Sequence, residues 1–209
     1  MTKFLKPVKM SPSRLESASS QLSALGINPA QRSEVAHETA SAFLARGKTL
    51  ASKDMRRALV DFTDKHGLDT LADLWSQSHP ITLPGALWRL YLVRAVIRQN
   101  PADFAGLFVR GAENLRSIET FLNSPAEILS GEDLLGTWDS ILSGIFSGDI
   151  SSALDRAGAV ARAISAGAIS ISWDDDFDSI YLTARAIEWN LVAEELGLAA
   201  KQERRGGLS

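Results

Sequence analysis

The fold is decided by residues 84–99, which read PGALWRLYLVRAVIRQ. When this segment is wound as a helix, apolar side chains lie on nearly every side of it, from Leu87 and Trp88 to Val96 and Ile97. A helix that is apolar all round is typical of the buried centre of a bundle. We therefore expect an all-α fold in which the other helices pack around a central apolar helix, 84–99.

Prolines and glycines predict where the other helices begin and end. A Ser or Asn before a proline predicts a helix start, because its side chain caps the first turn and the proline loses no hydrogen bond there. These pairs are Ser11-Pro12, Asn28-Pro29, Asn100-Pro101 and Ser124-Pro125. A glycine just past an apolar-periodic run predicts a helix end. These glycines are Gly26, Gly47, Gly67, Gly148 and Gly167.

These starts and ends predict a single globular bundle of eight or nine helices over residues 11–200. The predicted helices are 12–25, 29–46, 52–66, 68–77, 84–99, 101–122, 131–147, 150–166 and 175–197. The alternating apolar pattern of residues 168–173 predicts an extended linker. We expect an extended basic N-terminal tail at 1–10 and a disordered C-terminal tail at 201–209.

The amino-acid composition excludes several classes of protein. The chain contains no Cys, which excludes a disulfide framework and Cys-ligated zinc and favours a reducing compartment. A formal charge of −3 argues against a nucleic-acid partner. No run of about 18 apolar residues occurs, so we expect no membrane-spanning helix. These features together predict a cytoplasmic protein.

Two partial metal-binding patterns are present. Glu34 and His37 have the spacing of one half of a helical di-iron site, but the second Glu-x-x-His is lacking. Asp174, Asp175 and Asp178 resemble the Asp-Asp-x-x-Asp motif by which some all-helical isoprenoid enzymes hold magnesium. The alternative interpretation of this acidic run is that it caps a helix N-terminus. Since each pattern lacks its companion residues, we expect neither a metal nor another cofactor.

No motif of nucleophilic catalysis or nucleotide binding occurs, so we expect no catalytic residues. The candidate ligand or interface residues are instead Trp88, Arg89, Arg94 and Arg98, all on the apolar helix 84–99. Arginines on so apolar a helix are interface residues, ligand clamps or partners of carboxylates on other helices.

The sequence leaves two functions open. The first is a non-enzymatic helical interaction or regulatory module of the bacterial cytosol, acting as a homodimer or with another protein. The alternative is a small-molecule-binding protein with a pocket between helices 84–99, 101–122 and 131–147. The last helix is expected to bury an apolar face that consists of Phe177, Ile180, Tyr181, Ala184, Ile187 and Leu191.

Overall fold

The computed structural model describes residues 28–49, 74–115, 128, 130–174 and 179–208. The chain divides into two compact units, Met1–Val35 and Ala36–Ser209. In the first unit the described residues form the start of helix α1 (Pro29–Lys48). There the side chain of Asn28 accepts a hydrogen bond from the backbone N–H of Ala30 at 3.2 Å, which confirms the predicted Asn-Pro helix start. The predicted tail 1–10 lies outside the described residues, as do the starts at Pro12 and Pro125.

All the regular secondary structure in the described part of the second unit is helical, which confirms the predicted all-α class. It holds the rest of α1 and a helical segment at 74–76. Its other helices are α2 (Leu83–Gln99), α3 (Pro101–Asn114), α4 (Gly131–Ile145), α5 (Ile150–Asp174) and α6 (Ser179–Gly206). None of the helices within these ranges has the length and apolarity that a membrane crossing requires.

The packing of this unit does not confirm helix 84–99 as its centre. Helix α2 is largely buried, but Leu92 is exposed on one side of it. Helix α5 makes the most extensive contacts, along α6 and α3, and it also packs against α4. Its buried side chains are mostly small, and they include Ala153, Ala157, Ala161 and Ala163. The prediction of eight or nine helices around 84–99 is therefore not confirmed.

The predicted helix end at Gly167 is wrong, and so is the extended linker at 168–173. Helix α5 continues through both to Asp174. Gly167 instead lies where α5 crosses α3. A Cβ at this position would lie 1.8 Å from the carbonyl oxygen of Leu107 in α3, so the absence of a side chain permits the close crossing. By contrast, Gly148 lies between α4 and α5 with a φ of 100°, as expected of a helix-terminating glycine.

The C-terminal segment also differs from its prediction. Residues 201–206 continue α6, which was expected to end at 197 ahead of a disordered tail. Arg204 holds this last part of the helix by pairing with Asp155 of α5. Beyond it, Leu208 packs against the core, and its N–H donates to the Glu203 carboxylate at 3.0 Å. These contacts hold the C-terminal segment against the rest of the second unit.

Candidate interaction surface

Helix α6 exposes an unusual number of large apolar side chains. Ile180 is 87% exposed and Ile187 is 65% exposed, and more than half of the surface of Tyr181, Leu191 and Leu198 is also accessible. Isolated apolar residues are normal on a protein surface, whereas several on one helix mark an interaction site.

The exposed residues follow a regular spacing. Steps of four and three residues alternate along α6, and they define what we call the apolar seam: Ile180, Ala184, Ile187, Leu191, Glu194 and Leu198. An average step of 3.5 residues keeps side chains on one face of a helix and is the signature of a coiled-coil seam. One polar member, Glu194, interrupts the seam.

The opposite face of α6 is buried against the body of the second unit. Its side chains are mostly small, and they are Ala186, Trp189, Ala193, Leu196, Ala199 and Ala200. Two further contacts hold this face in place. The Ser165 hydroxyl donates to the carbonyl oxygen of Ala186 at 2.7 Å, and the Trp189 ring lies 5.3 Å from the Phe104 ring. The apolar seam is thus carried on an anchored helix.

The face of the last helix that was expected to be buried is therefore the exposed one, and that prediction was wrong. Helix α6 is apolar on two opposite sides, and the sequence alone favours burial of the side with the larger residues. The sequence feature that indicates the buried face is the set of alanines around Trp189, because small side chains let α6 approach α5 closely. Phe177 lies outside the described residues.

The structure does not bring the predicted candidates on helix 84–99 together. The Arg89 Nε donates to the Glu195 carboxylate of α6, and the Arg94 Nε donates to Asp139 of α4 at 2.5 Å. Trp88 is partly buried against the core, and Arg98 is exposed. Two of the arginines thus connect different pairs of helices. A ligand-binding role for the four residues stays a prediction.

The predicted cation site is mostly beyond the described residues. Asp174 is the last residue of α5, and Asp175 and Asp178 fall in the undescribed stretch 175–178. On α1, Glu34 is exposed and His37 is partly buried. Within the described ranges no three His, Asp or Glu side chains are grouped as a metal site requires.

A groove of about 450 Å³ lies between α5 and α6 and is open to solvent along one side. We call it the α5–α6 groove. Its floor consists of Gly158, Ala193 and Gly197, and its basic side chains are Arg162, Lys201 and Arg204. This groove is formed by other helices than the three that were expected to form a ligand pocket.

The fold and this surface define an all-helical protein with an exposed, coiled-coil-like seam. A scan against protein-family models, a search of curated proteins and a search of solved structures each found no match to this chain.

Proposed function

We propose that the protein is a non-enzymatic helical interaction module that self-associates through the apolar seam of α6. The observation that supports this proposal is the exposure of Ile180, Ile187 and Leu191 on one face of an anchored helix. Leaving these side chains in water costs free energy that a packed partner would recover, at about 25 cal/mol for each Å² of apolar surface buried.

The pattern of the seam supports a second copy of the chain as the partner. Its six positions are distributed symmetrically about the level of residue 189, so two antiparallel copies of α6 present matching positions to each other. The resulting pairs are Ile180 with Leu198, Ala184 with Glu194, and Ile187 with Leu191. A two-fold axis requires this kind of self-complementary surface. The small Ala184 leaves space for the longer Glu194 of the partner to reach water.

The size of the seam fits one side of a modest dimer interface. Its exposed apolar surface is on the order of several hundred Å², which exceeds what scattered surface residues present. A stable interface buries about 800 Å² on each partner, part of it as a polar rim. Glu188 and Asn190 flank the seam and would supply part of such a rim.

Light scattering coupled to gel filtration tests the proposal. We expect the wild-type chain to elute as a dimer and an Ile187→Glu/Leu191→Glu double variant to elute as a folded monomer, because its four glutamates would form two buried pairs of like charges across the axis. The matched control is Leu92→Glu/Ile169→Glu, which alters two exposed apolar residues on α2 and α5. It should remain a dimer.

A wild-type monomer at every concentration would overturn the proposal. Equal masses for the seam variant and its control would also overturn it, because the partner would then bind elsewhere. Far-UV circular dichroism of each variant establishes that a loss of dimer is not a loss of fold.

A further inference from the structure

Glu194 is the one charged residue among the six positions of the apolar seam. A leucine there would add apolar surface to a packed interface, so the glutamate weakens the association that we propose for the seam. Its carboxylate accepts a hydrogen bond from the Asn190 side chain at 2.9 Å and forms no ion pair with any residue that the structure describes. A bond between exposed side chains one turn apart adds little to the stability of a helix. The described contacts within one chain therefore do not require a glutamate at this position.

The Glu194 carboxylate has a route to solvent on one flank of α6. Glu194 lines the edge of the α5–α6 groove, which is open to solvent, together with Gly197 and Lys201. Asn190 lies about two turns before Gly197 and so on the same flank, and its hydrogen bond holds the carboxylate toward that side. A partner that packs on the seam can therefore leave the charge in water, provided that the side chain opposite Glu194 is small.

The two orientations in which a pair of α6 helices can pack treat this charge differently. In a parallel pair each seam residue faces its own copy, so the two Glu194 carboxylates would meet at the same level inside the interface. Buried like charges are costly, and the facing Ala184 side chains would also leave a gap.

In the antiparallel pair Glu194 faces the small Ala184 of the second copy instead. The two carboxylates are then ten residue levels apart, which is about 15 Å along the helix direction. This separation exceeds the Debye length of about 8 Å at physiological ionic strength. Antiparallel pairing therefore removes the repulsion that a parallel pair would contain.

We propose that Glu194 sets the orientation of the pair by excluding the parallel arrangement, a role that rests on the proposed self-association through the seam. The other five seam residues are apolar and would pack in either direction. A single polar residue in the core of a coiled coil specifies the arrangement of the helices at a cost in stability. Glu194 is thus a specificity-determining residue of the seam.

Spin labels at Arg205→Cys distinguish the two orientations, because the chain has no other Cys. Antiparallel copies place the two labels about 48 Å apart along the helix direction, whereas parallel copies place them at the same level. We expect only the long distance when Glu194 is present. Glu194→Leu should raise the parallel fraction at least about tenfold and add a short distance to the same measurement.

Glu194→Lys is the matched control for this experiment. It reverses the charge, but two lysines would still face each other in a parallel pair, so the long distance alone should persist. A second pair of variants tests the contact with Ala184. Ala184→Lys should lower the dimer Kd about tenfold, because each lysine then faces Glu194 of the second copy, whereas Ala184→Glu should raise the Kd by at least as much. Light scattering over a dilution series measures both changes.

The outcomes separate this inference from the proposed function. A wild-type chain that stays monomeric would overturn both. A wild-type dimer with the long distance alone, unchanged by Glu194→Leu, would overturn the role of Glu194 and leave self-association standing. A short distance in Glu194→Lys, or a raised Kd in Ala184→Lys, would also overturn this role.

Discussion

Gly167 of α5 lies directly against the backbone carbonyl of Leu107 in α3. A Cβ at Gly167 would be 1.8 Å from that oxygen, and one turn away a Cβ at Gly111 would be 1.8 Å from the carbonyl oxygen of Ala163. The two glycines thus sit on facing helices, and each accommodates the backbone of the other helix. This close crossing fixes the distance between α3 and α5.

Adding a single methyl group at this crossing should destabilise the fold. We expect Gly167→Ala to lower the free energy of unfolding by about 3 kcal/mol, because backbone atoms must move to admit the Cβ. Urea denaturation measures the change. The control is Gly106→Ala in α3, the other helix of the crossing, where a Cβ would meet nothing within 4 Å. That variant should be neutral or slightly stabilising, and an equal loss in both would contradict the account of the crossing.

Removing one partner of the ion pair between Arg94 and Asp139 should destabilise the fold far more than removing one partner of the pair between Arg204 and Asp155. The Arg94 side chain is 4% exposed, whereas the Arg204 side chain is 47% exposed. Asp139→Ala leaves a buried guanidinium without this partner, and we expect a loss of about 3 kcal/mol. Asp155→Ala removes a solvent-screened pair, and its cost should stay below about 1 kcal/mol.

A double-mutant cycle separates the Arg94–Asp139 interaction from other effects of the substitutions. The Arg94→Met/Asp139→Ala chain should be more stable than the sum of the two single losses indicates, since the two side chains interact directly. Additive losses, measured by thermal or urea unfolding, would show that the pair is not coupled.

The first turn of α4 provides a test of helix capping. The Ser130 hydroxyl accepts from the Asp133 N–H at 3.2 Å, and the Ser130 N–H donates to the Asp133 carboxylate at 2.9 Å. Ser130→Ala should therefore cost about 1 kcal/mol. Asn100 precedes α3 but makes no side-chain capping bond, so Asn100→Ala should cost measurably less in the same unfolding assay. A larger loss at Asn100 would contradict this.

The sequence predicted helix starts better than helix ends. The starts at Pro29 and Pro101 are correct, because proline at the first helical position follows from local backbone geometry alone. The capping role expected of Asn100 is not realised, however. Of the predicted helix ends, the one at Gly148 is correct and the one at Gly167 is wrong. A glycine that terminates a helix and one that admits a neighbouring backbone look alike in a sequence, since only the tertiary contact distinguishes them.

The sequence predicts the larger apolar residues of α6 to lie in the core, whereas the structure exposes them. Ile180, Ile187 and Leu191 have helical spacing, and large apolar side chains are usually buried. The opposite face of α6, which is the buried one, consists of alanines around Trp189. These small side chains let α6 pack closely against α5, although each offers little apolar surface. The cations of the α5–α6 groove could not be grouped from the sequence, because Arg162 and Lys201 are 39 positions apart and line the same groove only through the pairing of α5 with α6.

Spin-label distances in the proposed dimer test the central claim, that two copies of α6 pair antiparallel through the apolar seam. The chain has no Cys, so Asn190→Cys and Arg205→Cys each create a unique labelling site on an exposed part of α6. Asn190 is close to the proposed axis, and helix axes about 8 to 10 Å apart would give its two labels a short separation. The two Arg205 labels should be about 48 Å apart along the helix direction.

Pulsed electron paramagnetic resonance on these two chains is the decisive measurement. We expect a short distance for Asn190→Cys, a long one for Arg205→Cys, and the loss of both when Ile187→Glu/Leu191→Glu is added. A short distance at both labels would contradict the antiparallel arrangement. No measurable distance at either label, or distances that persist in the seam variant, would contradict association through the seam itself.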